Sequence, residues 1–304
     1  MIKRGNDIMT KTGKKIAIIL MLVLTIVVIG KKESIDYTDI TINRVNPQMA
    51  YIGEHNIFSN GNGIKYIGHR GIGALAPENT LPAFELAGKL GFWGAECDVR
   101  TTSDGNWMVL HDDTVNRMTN GTGKIKDISI AKVQALNIVS GKNIARYKDI
   151  KIPKLEEYLL TCEKSALIPV IEMKPADNVK YYDKFIQIIK KHGNIEKTIV
   201  ISSSAISLNE LRKRDTHLTL GLICSNITNE NIYYVKSLGN AFIDSSYHNI
   251  TKSEVHLCHE NNIKVGAWTV DDIILARSLT QKGVDYLTTN KLLPQVTNQK
   301  VSIN

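Results

Sequence analysis

From Ile64 onward, short apolar runs alternate with longer amphipathic stretches, the pattern of an α/β fold built on a parallel sheet. Tyr66–His69, Ala95–Val99, Ile168–Glu172, Thr198–Ser202, Thr219–Ile223, Ala241–Asp244, Val265–Thr269 and Tyr286–Thr289 are predicted strands. These eight runs match the number that closes a (β/α)8 TIM barrel. A ninth run, Trp107–His111, follows the second strand after only the turn Ser103-Asp104-Gly105-Asn106. A parallel crossover needs about a dozen residues, so these two runs are expected to pair antiparallel, as a small insertion after strand two. The insertion is expected to continue through the Gly/Lys-rich loop at Asn120–Lys126.

Helix signals fall between the strands. Thr80-Leu81-Pro82 reads as a cap followed by an early-turn proline, with Gly91 as the stop. Ile152–Glu157 opens another helix, Asp271-Asp272 caps one, and Thr251–Asn261 reads as an amphipathic helix.

Upstream of the barrel the pattern changes. Ile16–Gly30 is an uncharged apolar stretch of fifteen residues flanked by lysines, and polar residues 33–63 end in the turn-rich Ser59-Asn60-Gly61-Asn62-Gly63. The expected organisation is a basic N-terminus and anchor or signal segment (1–32), a linker (33–63), the barrel (64–293) and a tail (294–304). At roughly 1.5 Å per residue the apolar stretch covers about 22 Å, shorter than the ~30 Å hydrocarbon core, so snorkelling lysines or a thinned bilayer are expected. No A-x-A-like cleavage site follows it. An uncleaved single-pass anchor is therefore expected, with secretion as the alternative. Five basic residues precede the span and two follow closely, which orients the barrel to the outside of the cell membrane.

The net charge of +8 could suggest a nucleic-acid partner, but its distribution argues otherwise. Residues 1–32 carry +6 of it, leaving the barrel nearly neutral and without the basic stripe such binding requires. Cys97, Cys162, Cys224 and Cys258 show no close pair and no CxxC, which weakens thiolate-metal and thioredoxin-like readings.

Ionisable residues gather at the ends of predicted strands, where barrel enzymes assemble their sites. Glu96 and Asp98, spaced by two, share one face of a strand, and like charges so close call for a cation or a proton between them. Glu172 can supply a third oxygen. Three carboxylates without a thiolate suit Mg²⁺ or Ca²⁺ better than zinc. His69 and His111 each close an apolar run and suit an acid–base pair. Arg70 can grip a phosphate through its planar fork and Lys174 can neutralise one, although either can equally be a surface charge or a structural ion pair.

HRGIGALAPENT (His69–Thr80), ECDV (Glu96–Val99), SDGNWMVLHDDTVNR (Ser103–Arg117), IEMK (Ile171–Lys174) and AWTV (Ala267–Val270) together resemble the glycerophosphodiester phosphodiesterase family. The resemblance spans roughly residues 64–290 and implies a TIM barrel with an insertion after strand two. It implies His69 and His111 as the acid/base pair, Glu96, Asp98 and Glu172 as metal ligands, and Arg70 and Lys174 as phosphate contacts. Glu78 and Asn79 match the PENT element and are read as support of the site, while Trp268 matches an aromatic at the pocket mouth that could equally be core. Cys97, Met173 and the ending Thr289-Asn290 depart from the usual pattern, the last standing where Thr-Asp is common.

The implied reaction is hydrolysis of a glycerophosphodiester to glycerol 3-phosphate and an alcohol through a cyclic phosphate. Lysophospholipids or glycerophosphate wall polymers are alternative substrates for the same site, and a tethered non-catalytic binding module is the non-enzyme alternative. The carboxylate triad disfavours a metal-independent phosphoinositide lyase. His256, Cys258 and His259 are read as structural or surface residues, and the sequons at Asn120, Asn226 and Asn249 have meaning only in a eukaryotic secretory host.

Overall fold

The computed structural model describes residues 63–175 and 179–294. The proposed anchor Ile16–Gly30, most of the linker and most of the tail lie outside them. Among the described residues no helix is long and apolar enough to cross a membrane.

The strands are β1 (Lys65–Gly68), β2 (Gly94–Thr101), β3 (Trp107–Val109), β4 (Ile168–Met173), β5 (Ile199–Ser202), β6 (Thr219–Cys224), β7 (Ala241–Ser246), β8 (Val265–Trp268) and β9 (Tyr286–Thr289). The helices are α1 (Leu81–Lys89), α2 (Ile130–Ala135), α3 (Leu155–Lys164), α4 (Tyr182–His192), α5 (Ala205–Arg214), α6 (Asn229–Leu238), α7 (Lys252–Glu260) and α8 (Ile273–Lys282). Parallel pairing runs β1-β9-β8-β7-β6-β5-β4-β2 and closes through β1 on β2. This is the expected (β/α)8 barrel.

β2 outruns its partner β1, and its last residues, Val99–Thr101, accept β3 antiparallel. The insertion is longer than the sequence pattern suggested. It extends past Lys126 through α2 to a bridge between Met108 and Lys154, over its own core of Met108, Leu110, Val115, Met118, Ile125, Val133, Ile138 and Ile152.

Helix boundaries follow the local chemistry. Thr80 caps α1 by accepting the Ala83 N–H, with proline in the first turn, and Thr251 and Glu254 form a reciprocal capping box on α7. Asp272 alone caps α8, accepting the N–H groups of Ile274 and Leu275. Asp271, expected to share that role, turns instead toward β9.

Strand periodicity separates the two ends of the barrel. Side chains two residues apart share a face, so the inner face ascends from Val170 to Glu172, Phe242 to Asp244, Gly266 to Trp268 and Tyr286 to Thr288. Ile67, Val170, Ile199, Ile201, Phe242 and Tyr286 form an apolar plug below. Gly221 leaves room for it, since a Cβ there would lie 2.6 Å from both Ile201 and Phe242. The polar positions stand above the plug, at the C-terminal ends of the strands.

Tyr158 of α3 holds β2 and β4 in register from outside. Its buried hydroxyl donates to Ala95 O at 2.7 Å and accepts the Val170 N–H at 2.9 Å. Its ring packs edge-on against Phe84, 4.8 Å between centroids. Tyr158→Phe leaves a buried donor and a buried acceptor short of a partner, so urea unfolding should register a loss of about 1–3 kcal/mol.

Candidate active site

His69 is the first residue beyond β1, and its backbone N–H donates to Thr289 O across the β1–β9 seam. The chain then turns sharply. Arg70 takes a left-handed φ of 53°, which aims its N–H at Glu96 Oε2 over 2.8 Å. Gly71, at φ 87°, passes so close to α1 that a Cβ there would lie 2.7 Å from Ala83. The turn thus brings His69 and Arg70 over β2.

Glu96 and Asp98 project from the inner face of β2, and the β2–β4 register sets Asp98 beside Glu172. One carboxylate oxygen from each of the three lies within 4.8 Å of the others. Glu96 and Asp98 are fully buried. Asn79 grips Asp98 from behind, donating from Nδ2 to Oδ2 at 2.7 Å and accepting the Asp98 N–H on Oδ1 at 3.2 Å. Lys174 Nζ stands 2.7 Å from Asp98 Oδ1 and 2.5 Å from Glu172 Oε1. Arg70 reaches Glu78 Oε1 at 2.8 Å and Asp98 Oδ2 at 3.4 Å.

The three acids differ electrostatically. Burial, reinforced by Asp98 and Glu172, pushes the Glu96 carboxyl well above its usual range. Burial and Asp98 likewise raise Glu172. Asp98 feels the same burial, yet Lys174 and Arg70 outweigh it and hold its carboxyl low.

The two histidines flank this cluster. His69 Nε2 is 3.9 Å from Glu96 Oε2, and its Nδ1 is 2.8 Å from Asn290 Oδ1. Burial and then Arg70 lower its affinity for a proton. His111 Nδ1 is 2.8 Å from Asp112 Oδ1. Asp112 in turn accepts Arg117 Nε at 2.6 Å and Nη2 at 3.0 Å, and the Arg117 bond holds its carboxyl far below the usual range. Arg117 Nη2 also donates to Glu78 Oε1 at 2.7 Å, which ties His111 to Arg70 through one continuous set of ion pairs.

A cavity of about 230 Å³ joins His69, Arg70, Glu96, His111, Glu172 and Lys174 to an opposite wall that includes Asp244 and Trp268. The Trp268 indole N–H donates to Asp244 O at 2.9 Å, so this ring lines the cavity while anchored to β7. Burial lifts the Asp244 carboxyl to about 8, and Glu172 adds to the shift. A larger hollow of about 610 Å³ opens at the barrel's other end around Lys65, Trp93 and Tyr286, but no histidine lines it.

All ten residues singled out in the sequence gather at this end of the barrel. Sequence spacing alone does not place Asp112, Arg117, Asp244, Asp271 or Asn290 in it. An acid at the C-terminal end of a barrel strand was the available signal for Asp244. Lys174, read as a phosphate contact, stands against two carboxylates. Elsewhere, His256 pairs with Glu260 and His259 with Asp285, while Cys258 is buried and free. All four cysteines are unpaired.

The site fits a divalent cation. Glu96 Oε1 is buried without a hydrogen-bond partner, in a residue that belongs to a cluster of hard oxygen donors. With all three carboxylates ionised, as cation ligands are, their charge against Arg70 and Lys174 leaves one net negative charge. A divalent ion would reverse that sign to match a phosphodiester monoanion.

Comparison with known proteins identifies the family. Residues 69–293 match the profile of the glycerophosphoryl diester phosphodiesterase family. A glycerophosphodiester phosphodiesterase of Caldanaerobacter subterraneus is 33% identical over 229 residues, covering 74% of this chain and 93% of that protein. A phosphodiesterase of Oleispira antarctica, solved in complex with the product sn-glycerol-3-phosphate, superposes with a TM-score of 0.71 at 26% identity, over 76% of this chain and 94% of that one. The fold is also shared with a glycerophosphodiester phosphodiesterase of Parabacteroides distasonis, at a TM-score of 0.64 and 24% identity over 75% and 93% of the two chains.

Proposed function

The chain belongs to the glycerophosphoryl diester phosphodiesterase family and is a phosphoric diester hydrolase, and from that premise we propose how its residues cleave a glycerophosphodiester. The observation that carries the proposal is a cluster of three carboxylates, two of which, Glu96 and Glu172, line one cavity together with both imidazoles. Glu96, Asp98 and Glu172 hold a divalent cation, Mg²⁺ or Ca²⁺. When bound, it supplies positive charge to the phosphoryl oxygens.

Arg70 and Lys174 line the cavity; Arg70 orients the phosphodiester by charge-assisted hydrogen bonds, and Lys174 joins it once the carboxylates it faces here are shared with a cation. The two rings then divide the proton traffic according to what backs them. His69 rests on a neutral amide, so its Nε2 takes the proton of the glycerol 2-hydroxyl as that oxygen attacks phosphorus. His111 rests on the Asp112 carboxylate, which balances a proton carried on its ring. It gives that proton to the departing alcohol oxygen as the P–O bond breaks, leaving a cyclic phosphate that spans O2 and O3 of the glycerol. Water, deprotonated by His111, next attacks phosphorus. The ring oxygen leaves with the proton from His69, releasing glycerol 3-phosphate and restoring both rings. The product bound to the Oleispira antarctica relative supports that product here.

Phosphorus NMR of the enzyme with glycerophosphocholine should show glycerol 3-phosphate appearing, with a transient cyclic phosphate resonance. A chelator should stop the reaction and added Mg²⁺ or Ca²⁺ should restart it. Undiminished turnover under exhaustive chelation would remove the cation from the proposal.

In this reading Ile16–Gly30 tethers the enzyme to the outer face of the cell membrane. The flanking lysines and their asymmetry support it. Fractionation should find the chain with membranes and accessible to external protease; a cytosolic pool would rule the tether out.

A further inference from the structure

The departure Thr289-Asn290 is coupled to Asp271, the residue that leaves helix capping to its neighbour. Asp271 Oδ1 accepts the Asn290 backbone N–H at 2.7 Å and the Thr289 hydroxyl at 2.9 Å. Its Oδ2 accepts Asn290 Nδ2 at 2.7 Å. Each contact is to a donor, and a carboxylate can only accept, so the Asn290 amide has no freedom to turn over. Its –NH₂ must face Asp271, and its carbonyl oxygen must face His69 Nδ1 at 2.8 Å. The ring nitrogen facing a carbonyl must carry the hydrogen.

We propose that Asp271 is a positioning residue: acting through Asn290, it locks His69 as the Nδ1–H tautomer and leaves the Nε2 lone pair turned to the reacting centre. This rests on the reading of His69 as a base given above. It extends that reading to two residues beyond the cation ligands and the two rings. Nε2 is the atom that approaches Glu96, so the locked tautomer exposes a proton acceptor on the side where the substrate hydroxyl would arrive.

Asp271→Asn tests the lock with almost no change of shape. The new amide keeps one oxygen for the Asn290 N–H and the Thr289 hydroxyl and puts an –NH₂ where Oδ2 stood. Two –NH₂ groups then oppose each other, and the Asn290 amide turns over. His69 Nδ1 now faces a donor, so the ring proton moves to Nε2. Turnover should fall on the order of 10²- to 10⁴-fold, the scale of a misplaced general-base proton, with KM changing less than about threefold if substrate contacts are intact. The double variant Asp271→Asn/Asn290→Asp restores an acceptor-only group against His69. It should return kcat to within about tenfold of the parent, because the tautomer again presents a base.

The direct readout is the ¹⁵N spectrum of the full chain labelled at histidine, with His69 assigned by its loss in His69→Gln. The parent and the double variant should show hydrogen on Nδ1, and the single variant should show it on Nε2. Hydrogen on Nε2 in the parent overturns the proposal without any variant. So does an unmoved Nδ1–H in the single variant, or a folded double variant that stays as slow as the single. Full turnover by His69→Ala would instead overturn the underlying role of His69, an outcome the tautomer spectra cannot mimic.

Discussion

Glu96→Gln should be almost inactive and no less stable than its parent. Glutamine keeps the shape and the Oε2-side contact with the Arg70 N–H, but removes the charge that faces the cluster. A cation held by three carboxylates loses one of them, and with it several kcal/mol of transition-state stabilisation, about 10³-fold or more in turnover. Stability should move the other way. Glu96 is buried beside Asp98 and Glu172, and its raised carboxyl reports how unfavourable its ionised form is there. A neutral side chain relieves that repulsion in the folded state without the cation. Thermal unfolding in chelator should give a Tm equal to or above the parent's, alongside the lost activity in saturating Mg²⁺ or Ca²⁺. A sharply lowered Tm would mean that Glu96 is structural and that the inactivity says nothing about a metal.

His111→Ala should lose about 10²- to 10⁴-fold in kcat on glycerophosphocholine, the usual worth of a positioned general acid, with little change in KM. Its side chain is one-third exposed, so the fold should hardly respond, within about 0.5 kcal/mol. The substrate's leaving group distinguishes chemistry from damage. A nitrophenyl ester of glycerol phosphate departs as a stable anion and needs no proton, so His111→Ala should be far less impaired on it. If both substrates slowed equally, His111 would have some role other than protonating the departing oxygen.

Much of this architecture is legible in the sequence because it rests on short-range patterns. Eight apolar runs spaced by amphipathic helices specify the barrel, and the few residues between Thr101 and Trp107 force the hairpin. The i, i+2 spacing of Glu96 and Asp98 puts both acids on the inner face. The groups that hold the histidines are harder to see. Asn290 lies 221 residues from His69, and only barrel closure makes them neighbours. Asp112 and Arg117 read as ordinary charges of the insertion until the fold lays Glu78 against Arg117. Asp271 sits beside a helix cap, and nothing in local spacing says which of two adjacent aspartates turns away. Lys174 follows strand periodicity as expected, yet its ammonium sits among the acids, since that is where the uncompensated charge lies.

The seam between β1 and β9 also governs when the enzyme comes into being. His69 leaves the ribosome early, but the backbone carbonyl of Thr289 and the side chain of Asn290 that fix its place are among the last groups of the barrel to be made. A nascent chain therefore carries the acidic residues of β2 and β4 long before it owns a positioned base. Hydrolysis should begin abruptly, only when the final strand has emerged and docked, so that a chain stalled or clipped before Thr289 is silent rather than partly active.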